Sequence, residues 1–285
     1  MFFLLVGFGQ EIIAQEATNR ESFLFAQENL LAWCIVPYDS EKRNSEERAR
    51  MLKELNFGML AYDWREEHIP TFDAEWEALN KYGITLQGFW MNTDQNPSKN
   101  PHVQEIFDFL ERNDVKTQIW LNINGGEGFN DLSQEQKVAS MAETVSYIAK
   151  RAAALGCQVA LYNHRGWYGE PENQLAIIEK LDLPNIGMVY NFHHAQTQHQ
   201  RFPEFFPKIV PYLFAVNLAG LKSNDNEKFF PIGEGDVEEE MIRVVIQSKY
   251  NGPIGILNHD TNRDAKLGLE TEMRGLKKVL ESIGE

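Results

Sequence analysis

Three apolar runs in this chain stop on asparagine and histidine: "LYNH" at Asn163-His164, "YNFHH" from Asn191 to His194, and "ILNH" at Asn258-His259. Four of the seven histidines, His164, His193, His194 and His259, therefore stand where strand-like segments end. An imidazole titrates near neutrality, so such a set can act as general acid and base. Neutral imidazoles brought together can instead bind a divalent metal ion: zinc, manganese, cobalt, nickel or iron. Any one histidine at a strand end is as readily a cap or a satisfied core residue. It is the set that points to a site. His193 and His194 are neighbours, so on a strand their side chains point to opposite faces. If Asn191 points inward, His193 does too; a bulge would bring in His194 instead.

Other strand ends carry further candidates. Asp63 and Arg65 share one strand face on either side of Trp64, and His68 follows shortly. A neighbouring arginine can hold the carboxylate ionised for proton transfer. A structural Asp–Arg clamp explains the pair equally well. Asn92, Asn122, Asn124, Asn163, Asn191, Asn217 and Asn258 end or flank other runs. Each amide offers both a donor and an acceptor, as sugar hydroxyls require. Asp63, Arg65, His68, Asn191, His193 and Asn217 form the candidate catalytic set. Asn122, Asn163 and Lys222 are candidate substrate contacts, with Trp64, Trp90 and Trp167 as walls for a sugar ring. Trp120 lies within its run and reads as core.

These residues are positioned by a regular alternation. From Leu30 onward, eight short apolar runs are each followed by a segment with helical spacing, without a linker or composition break. "LLAWCIV" precedes "NSEERARMLKELN", and "CQVALYNH" precedes "EPENQLAIIEKLD". In the latter, Pro171 suits a first helical position. Strands alternating with helices imply right-handed crossovers and a parallel sheet. Eight units over residues 28–285 predict a single (β/α)8 barrel, whose active site lies at the C-terminal strand ends. A doubly wound open sheet is the alternative, but it expects a glycine-rich turn after its first strand. "IVPYDSEKRN" has no such turn.

Of 285 residues, 43% are hydrophobic and 24% charged. That balance is usual for a globular protein with a sizeable core. The net charge is −15. It opposes contact with phosphate backbones or anionic lipid, so no nucleic-acid partner is expected. A small carbohydrate is the expected partner, and a homo-oligomer is compatible with this reading. Cys34 and Cys157 sit in apolar runs. They read as small buried hydrophobes. The first twenty residues open on an apolar run followed by small and polar residues. The run is too short to span a bilayer. It resembles a secretory signal that lacks its basic start, which predicts a periplasmic or secreted protein. The alternative is an apolar tail packed on the domain of a cytoplasmic protein.

"LYNHRGWYGEPENQLAIIEKL", "NIGMVYNFHHAQ", "AVNLAGL", "PIGEGDVE" and "GPIGILNH" together resemble the xylose isomerase-like barrels, the sugar phosphate isomerase/epimerase superfamily. The resemblance covers nearly the whole chain from Leu30. It implies one divalent metal held by glutamate, aspartate, histidine and glutamate on strands five to eight, and proton transfer between adjacent carbons of a keto sugar. Here Tyr162, Asn191, Asn217 and Asn258 or His259 stand at those four places. Neutral asparagine is a poor substitute for carboxylate on a hard cation. His164, His194 and His259 are the replacement ligand set, three imidazoles with an open position. The expectation is an isomerase or epimerase. A lyase or hydrolase of 3-keto-glycosides and a non-catalytic sugar-binding barrel are the alternatives.

Overall fold

The computed structural model describes residues 23–284. The N-terminal apolar run read as a signal lies outside the described residues. Seven parallel strands come first: β1 (Leu30–Trp33), β2 (Met59–Tyr62), β3 (Thr85–Thr93), β4 (Gln118–Ile123), β5 (Gln158–Tyr162), β6 (Ile186–Asn191) and β7 (Leu213–Leu218). A hairpin of β8 (Gly220–Lys222) and β9 (Asp225–Phe230) follows, and then β10 (Ile254–Leu257). Strands β1 to β7 and β10 close into a barrel in the order β1-β10-β7-β6-β5-β4-β3-β2. The helices between and after them are α1 (Ser45–Glu54), α2 (Phe72–Tyr82), α3 (Pro101–Arg112), α4 (Gln134–Ala154), α5 (Pro171–Leu181), α6 (Phe202–Ile209), α7 (Glu238–Gln247) and α8 (Ala265–Ile283). The expected (β/α)8 barrel is the fold.

Local chemistry sets the helix ends. Asn44 with Glu47 and Ser133 with Gln136 form capping boxes at the starts of α1 and α4. Each box satisfies N–H groups that the helix itself leaves free. Pro101 and Pro171 open α3 and α5. A missing N–H costs nothing there. Gly83 ends α2 at φ 67°. That left-handed conformation favours glycine.

Two apolar layers hold the molecule. Leu60, Phe89, Ile119, Leu121 and Tyr190 face outward and pack under the helices. Inside the barrel, Trp33, Trp120, Tyr162, Val189 and Leu257 fill the lumen. Trp120 is core, as expected, with its ring centroid 4.7 Å from that of Trp33. Gly88 makes room for it, since a Cβ there would meet the indole at 2.6 Å. The antiparallel β8–β9 hairpin, between β7 and α7, departs from eight plain units. Its Phe229 packs on the rings of His193 and His259, so the hairpin covers part of the barrel mouth.

Candidate functional site

β5, β6 and β10 end on the three histidine motifs, and the barrel brings all four imidazoles to one mouth. Their rings form a row: His164 to His194 at 4.7 Å, His194 to His193 at 4.9 Å, and His193 to His259 at 4.6 Å between centroids. Tyr38 extends the row, its ring 4.1 Å from that of His259. The strand-face rule fails at His193 and His194 because β6 stops at Asn191. A 3-10 turn follows over Phe192–His194, capped by the Asn191 side chain, which accepts from His193 N at 2.9 Å. Successive residues on that turn both reach the mouth.

Burial pushes all four imidazole pKa values down. His193 falls to about 3 and His259 to about 4, helped by His259 and Arg65 respectively. His194 lies well below its ordinary value and His164 is lowered too, with His193 and Arg165 adding to burial in turn. The row is therefore uncharged at neutral pH. Nδ1 of His194 is buried without a hydrogen bond.

Asp63 follows β2 and lines the same small cavity, about 80 Å³, as His164, His193, His194 and His259. It is 2% exposed. Oδ1 accepts from Val36 N at 3.2 Å, whereas Oδ2 has no hydrogen bond. Burial raises the carboxyl to about 6, against the pull of Arg65. The expectation that Arg65 clamps Asp63 or holds it ionised is therefore corrected. The guanidinium folds back on its own strand end, donating to the carbonyls of Asp63 at 2.7 Å and Trp64 at 2.8 Å, and to the Tyr38 hydroxyl at 3.3 Å.

Arg65, Trp90 and His164 also line an outer cleft of about 440 Å³, which adjoins the inner cavity. That volume is within the usual range for a small-molecule site. Asn92, Asn100, Asn122, Asn124, His102 and Trp64 take part in its wall. Asn92 Oδ1 accepts from Asn122 at 2.6 Å and from Asn124 at 3.2 Å, which fixes the orientation of those amides. Trp64 donates to Trp90 O at 2.8 Å and so stands as a fixed wall.

Several expected site residues are elsewhere. His68 caps the turn after β2, accepting from Arg65 N at 3.0 Å, and faces a separate flank cavity of about 890 Å³ beside α1 and α2. The cationic groups of that larger cavity are mostly engaged: Arg43 on Asp39 and Asp264, Arg48 on Glu75, Lys81 on Glu46. Asn163 is fully buried and exchanges two hydrogen bonds with the Asn191 backbone, at 3.1 and 2.7 Å, extending the β5–β6 ladder. Trp167 turns away to Gln134 at 2.7 Å and to the ring of Phe129. The Lys222 ammonium sits 4.2 Å from the centroid of the Phe230 ring on the hairpin. Asn217 is buried below the mouth, where its Oδ1 lies over Gly255. Cys34 reads as a plain hydrophobe in the sequence, yet it lines the inner cavity.

The fold agrees with the relatives of this chain. The family model of the xylose isomerase-like TIM barrel matches residues 49–279. The chain belongs to that family. The uncharacterized protein MJ1311 of Methanocaldococcus jannaschii is 29% identical over 151 residues, 50% of this chain and 49% of its own length. The chain thus spans about half the length of that curated relative. Among solved structures, the IolI protein with a bound zinc atom superposes with a TM-score of 0.66 at 12% identity, covering 88% of this chain and 98% of its own. The 3-keto-D-glucoside 4-epimerase YcjR of E. coli superposes at 0.63 and 14% identity, covering 89% and 99%. At these identities the likeness is one of fold.

The family resemblance implies a divalent metal, and the residues do not fit one. Among the described residues no three His, Cys, Asp or Glu side chains are grouped so as to hold an ion. His164, His194 and His259 are not a triad, because His193 stands between the last two. Tyr162, at the expected glutamate position, is buried with its phenol receiving Trp33 Nε1 at 3.0 Å and the Asn191 amide. Burial holds that phenol well above its ordinary pKa, so it supplies no anionic ligand.

Proposed function

We propose that this barrel is an enzyme that moves a proton next to the carbonyl of a keto sugar or a related polyhydroxy carbonyl compound. Asp63 is the base, Arg65 and the imidazole row handle the oxygen and the returning proton, and the asparagine cleft holds the hydroxyls. The reading is carried by Asp63: a buried carboxyl with one oxygen free, titrating near 6, in the same cavity as four neutral imidazoles. A general base is most effective when its pKa lies near the working pH.

In the forward step the ionised Asp63 takes the proton from the carbon beside the carbonyl. The C–H electron pair moves onto the carbonyl oxygen, giving an enolate. Arg65 and an imidazole N–H stabilise that oxygen by charge and hydrogen bonding, which counts for more in a cavity that excludes water. Donation of an imidazole N–H proton to the other face of the same carbon inverts it, and the ring is restored by the proton that Asp63 holds. Return of the proton from Asp63 to the former carbonyl carbon, with the neighbouring hydroxyl's proton passed to the oxygen there, moves the carbonyl instead. The inner cavity holds about 80 Å³. That is well below the size of a ligand site. The polyhydroxy body therefore occupies the outer cleft, and only the carbonyl end meets the imidazoles. A related barrel named as a 3-keto-D-glucoside 4-epimerase supports this substrate class.

The test is incubation with keto sugars and 3-keto-glucosides in heavy water, followed by mass spectrometry. Deuterium incorporation that survives chelator and disappears in Asp63→Asn supports the proposal. Release of an aglycone would assign elimination or hydrolysis instead. Binding without any exchange would leave a sugar-binding barrel and overturn the enzyme reading.

A further inference from the structure

Cys34 follows the last residue of β1 with φ 54°. A residue with a side chain adopts that left-handed region at a cost. Glycine would make the turn without strain. The turn breaks the strand alternation and places Cys34 in the wall of the inner cavity, with Asp63 and the imidazoles. The thiol is buried beside the Asp63 carboxyl, and burial followed by that carboxyl's charge pushes it well above its ordinary pKa. It is thus a proton-bearing donor at neutral pH, not a thiolate nucleophile. Asp63 Oδ2 is buried and without a hydrogen bond.

We infer that Cys34 is a positioning residue for Asp63, its S–H donating to Oδ2 when the carboxyl ionises. A carboxylate oxygen has two lone-pair directions, so the thiol takes one and aims the other into the cavity. A donor to the ionised form lowers the carboxyl's pKa, opposing the desolvation that raises it. The other titratable groups around Asp63 are Tyr38 on the β1–α1 segment, Arg48 on α1, Tyr62 and Arg65 on either side of it, and Tyr162, His164, His193, His194 and His259 across the shared cavity. Of these, Arg48 is committed to Glu75, and Arg65 to backbone carbonyls and the Tyr38 hydroxyl. The thiol lies beside the carboxyl with its proton in place, and so is a donor placed to answer the change in charge.

This inference rests on Asp63 as the base for its purpose, but its test does not need turnover. The S–H stretching band of Cys34 is isolated as the infrared difference between the wild-type chain and Cys34→Ser, which leaves Cys157 in place. Between pH 5 and 8 the band should shift to lower frequency, with a midpoint near 6, and the shift should vanish in Asp63→Asn. A band that stays fixed, or that moves equally in Asp63→Asn, overturns the inference. If deuterium exchange is found, Cys34→Ala should move its pH midpoint upward by about one unit, and Cys34→Ser should restore most of it. Absence of exchange in the wild type would defeat the proposed function while leaving the infrared result decisive for this one.

Discussion

Asp63→Asn separates a catalytic carboxyl from a structural one by moving activity and stability in opposite directions. On folding, the carboxyl goes from an ordinary 3.8 to about 6, with burial as the main cause. At about 1.4 kcal/mol per pKa unit, the ionised group costs the folded state roughly 3 kcal/mol. The cost is absent below about pH 3, where folded and unfolded states are both protonated. It grows as pH rises from about 4 to 6 and is complete above that. Asparagine keeps an oxygen for Val36 N and carries no charge. The variant should therefore be more stable than wild type by up to roughly 3 kcal/mol at pH 8, and equal to it at about pH 3. Urea unfolding at the two pH values, followed by tryptophan fluorescence, measures the difference. Deuterium exchange into a keto sugar should meanwhile fall to background. A variant destabilised at pH 8 would show that Asp63 is a structural clamp and would refute the reasoning.

The imidazole row gives the opposite slope. Because folded His193 and His259 titrate at about 3 and 4, the unfolded chain binds more protons below pH 6.5. Stability should fall from pH 6.5 towards 4, and His193→Gln should flatten part of that loss in urea titrations. Glu272 on α8 is fully buried, one oxygen accepting from Ile232 N at 2.8 Å and the other unpartnered, and burial raises it to about 8. Its stabilising protonation is lost as pH rises towards 8, so Glu272→Gln should raise the melting temperature at pH 9 and leave it unchanged at pH 4. In the cleft, Asn92→Ala should raise KM for a keto-glucoside by about tenfold, the worth of a hydrogen-bond pair, while Trp167→Ala stays within about twofold. Equal losses in the two variants would remove the assignment of the cleft.

The architecture is legible in the sequence because each layer writes its own period. Buried runs such as "LLAWCIV" and capped amphipathic segments such as "NSEERARMLKELN" set strands and helices before any contact is known. Strand ends are legible for the same reason, and with them Asp63 and the four histidines. Direction within a strand end is not. Cys34 turns through a left-handed residue, and Phe192–His194 through a 3-10 turn, and neither follows the two-residue period of a strand. Amides mislead in another way. Asn163 and Asn258 look like ligand contacts, but a side-chain amide can replace a backbone pair. They bond the backbone of Asn191 and the carbonyl of Tyr38. His68 is close in sequence to the site and is drawn off it by its own cap on Arg65 N.

The changed ligand positions make sense together. Tyr162 packs against Trp33, Trp90 and Trp120 and spends its phenol on Trp33 and Asn191. Asn191 in turn caps the histidine turn, so the residues at two expected ligand positions now build the imidazole row. A cation placed over Tyr162 would meet amides, a neutral phenol and imidazoles, and none of the four expected ligand positions supplies a carboxylate to offset its desolvation. Charge in the inner cavity is instead supplied on the β2 side, by Arg65 permanently and by Asp63 when ionised, while Arg165 adds its field from beyond His164. That separation places a base and a cation against neutral donors in one cavity, an arrangement suited to forming an enolate and returning its proton. It is also why the pH dependence of exchange should follow the carboxyl, rising through a midpoint near 6, and not His193 or His259, which stay neutral down to about 4 or below.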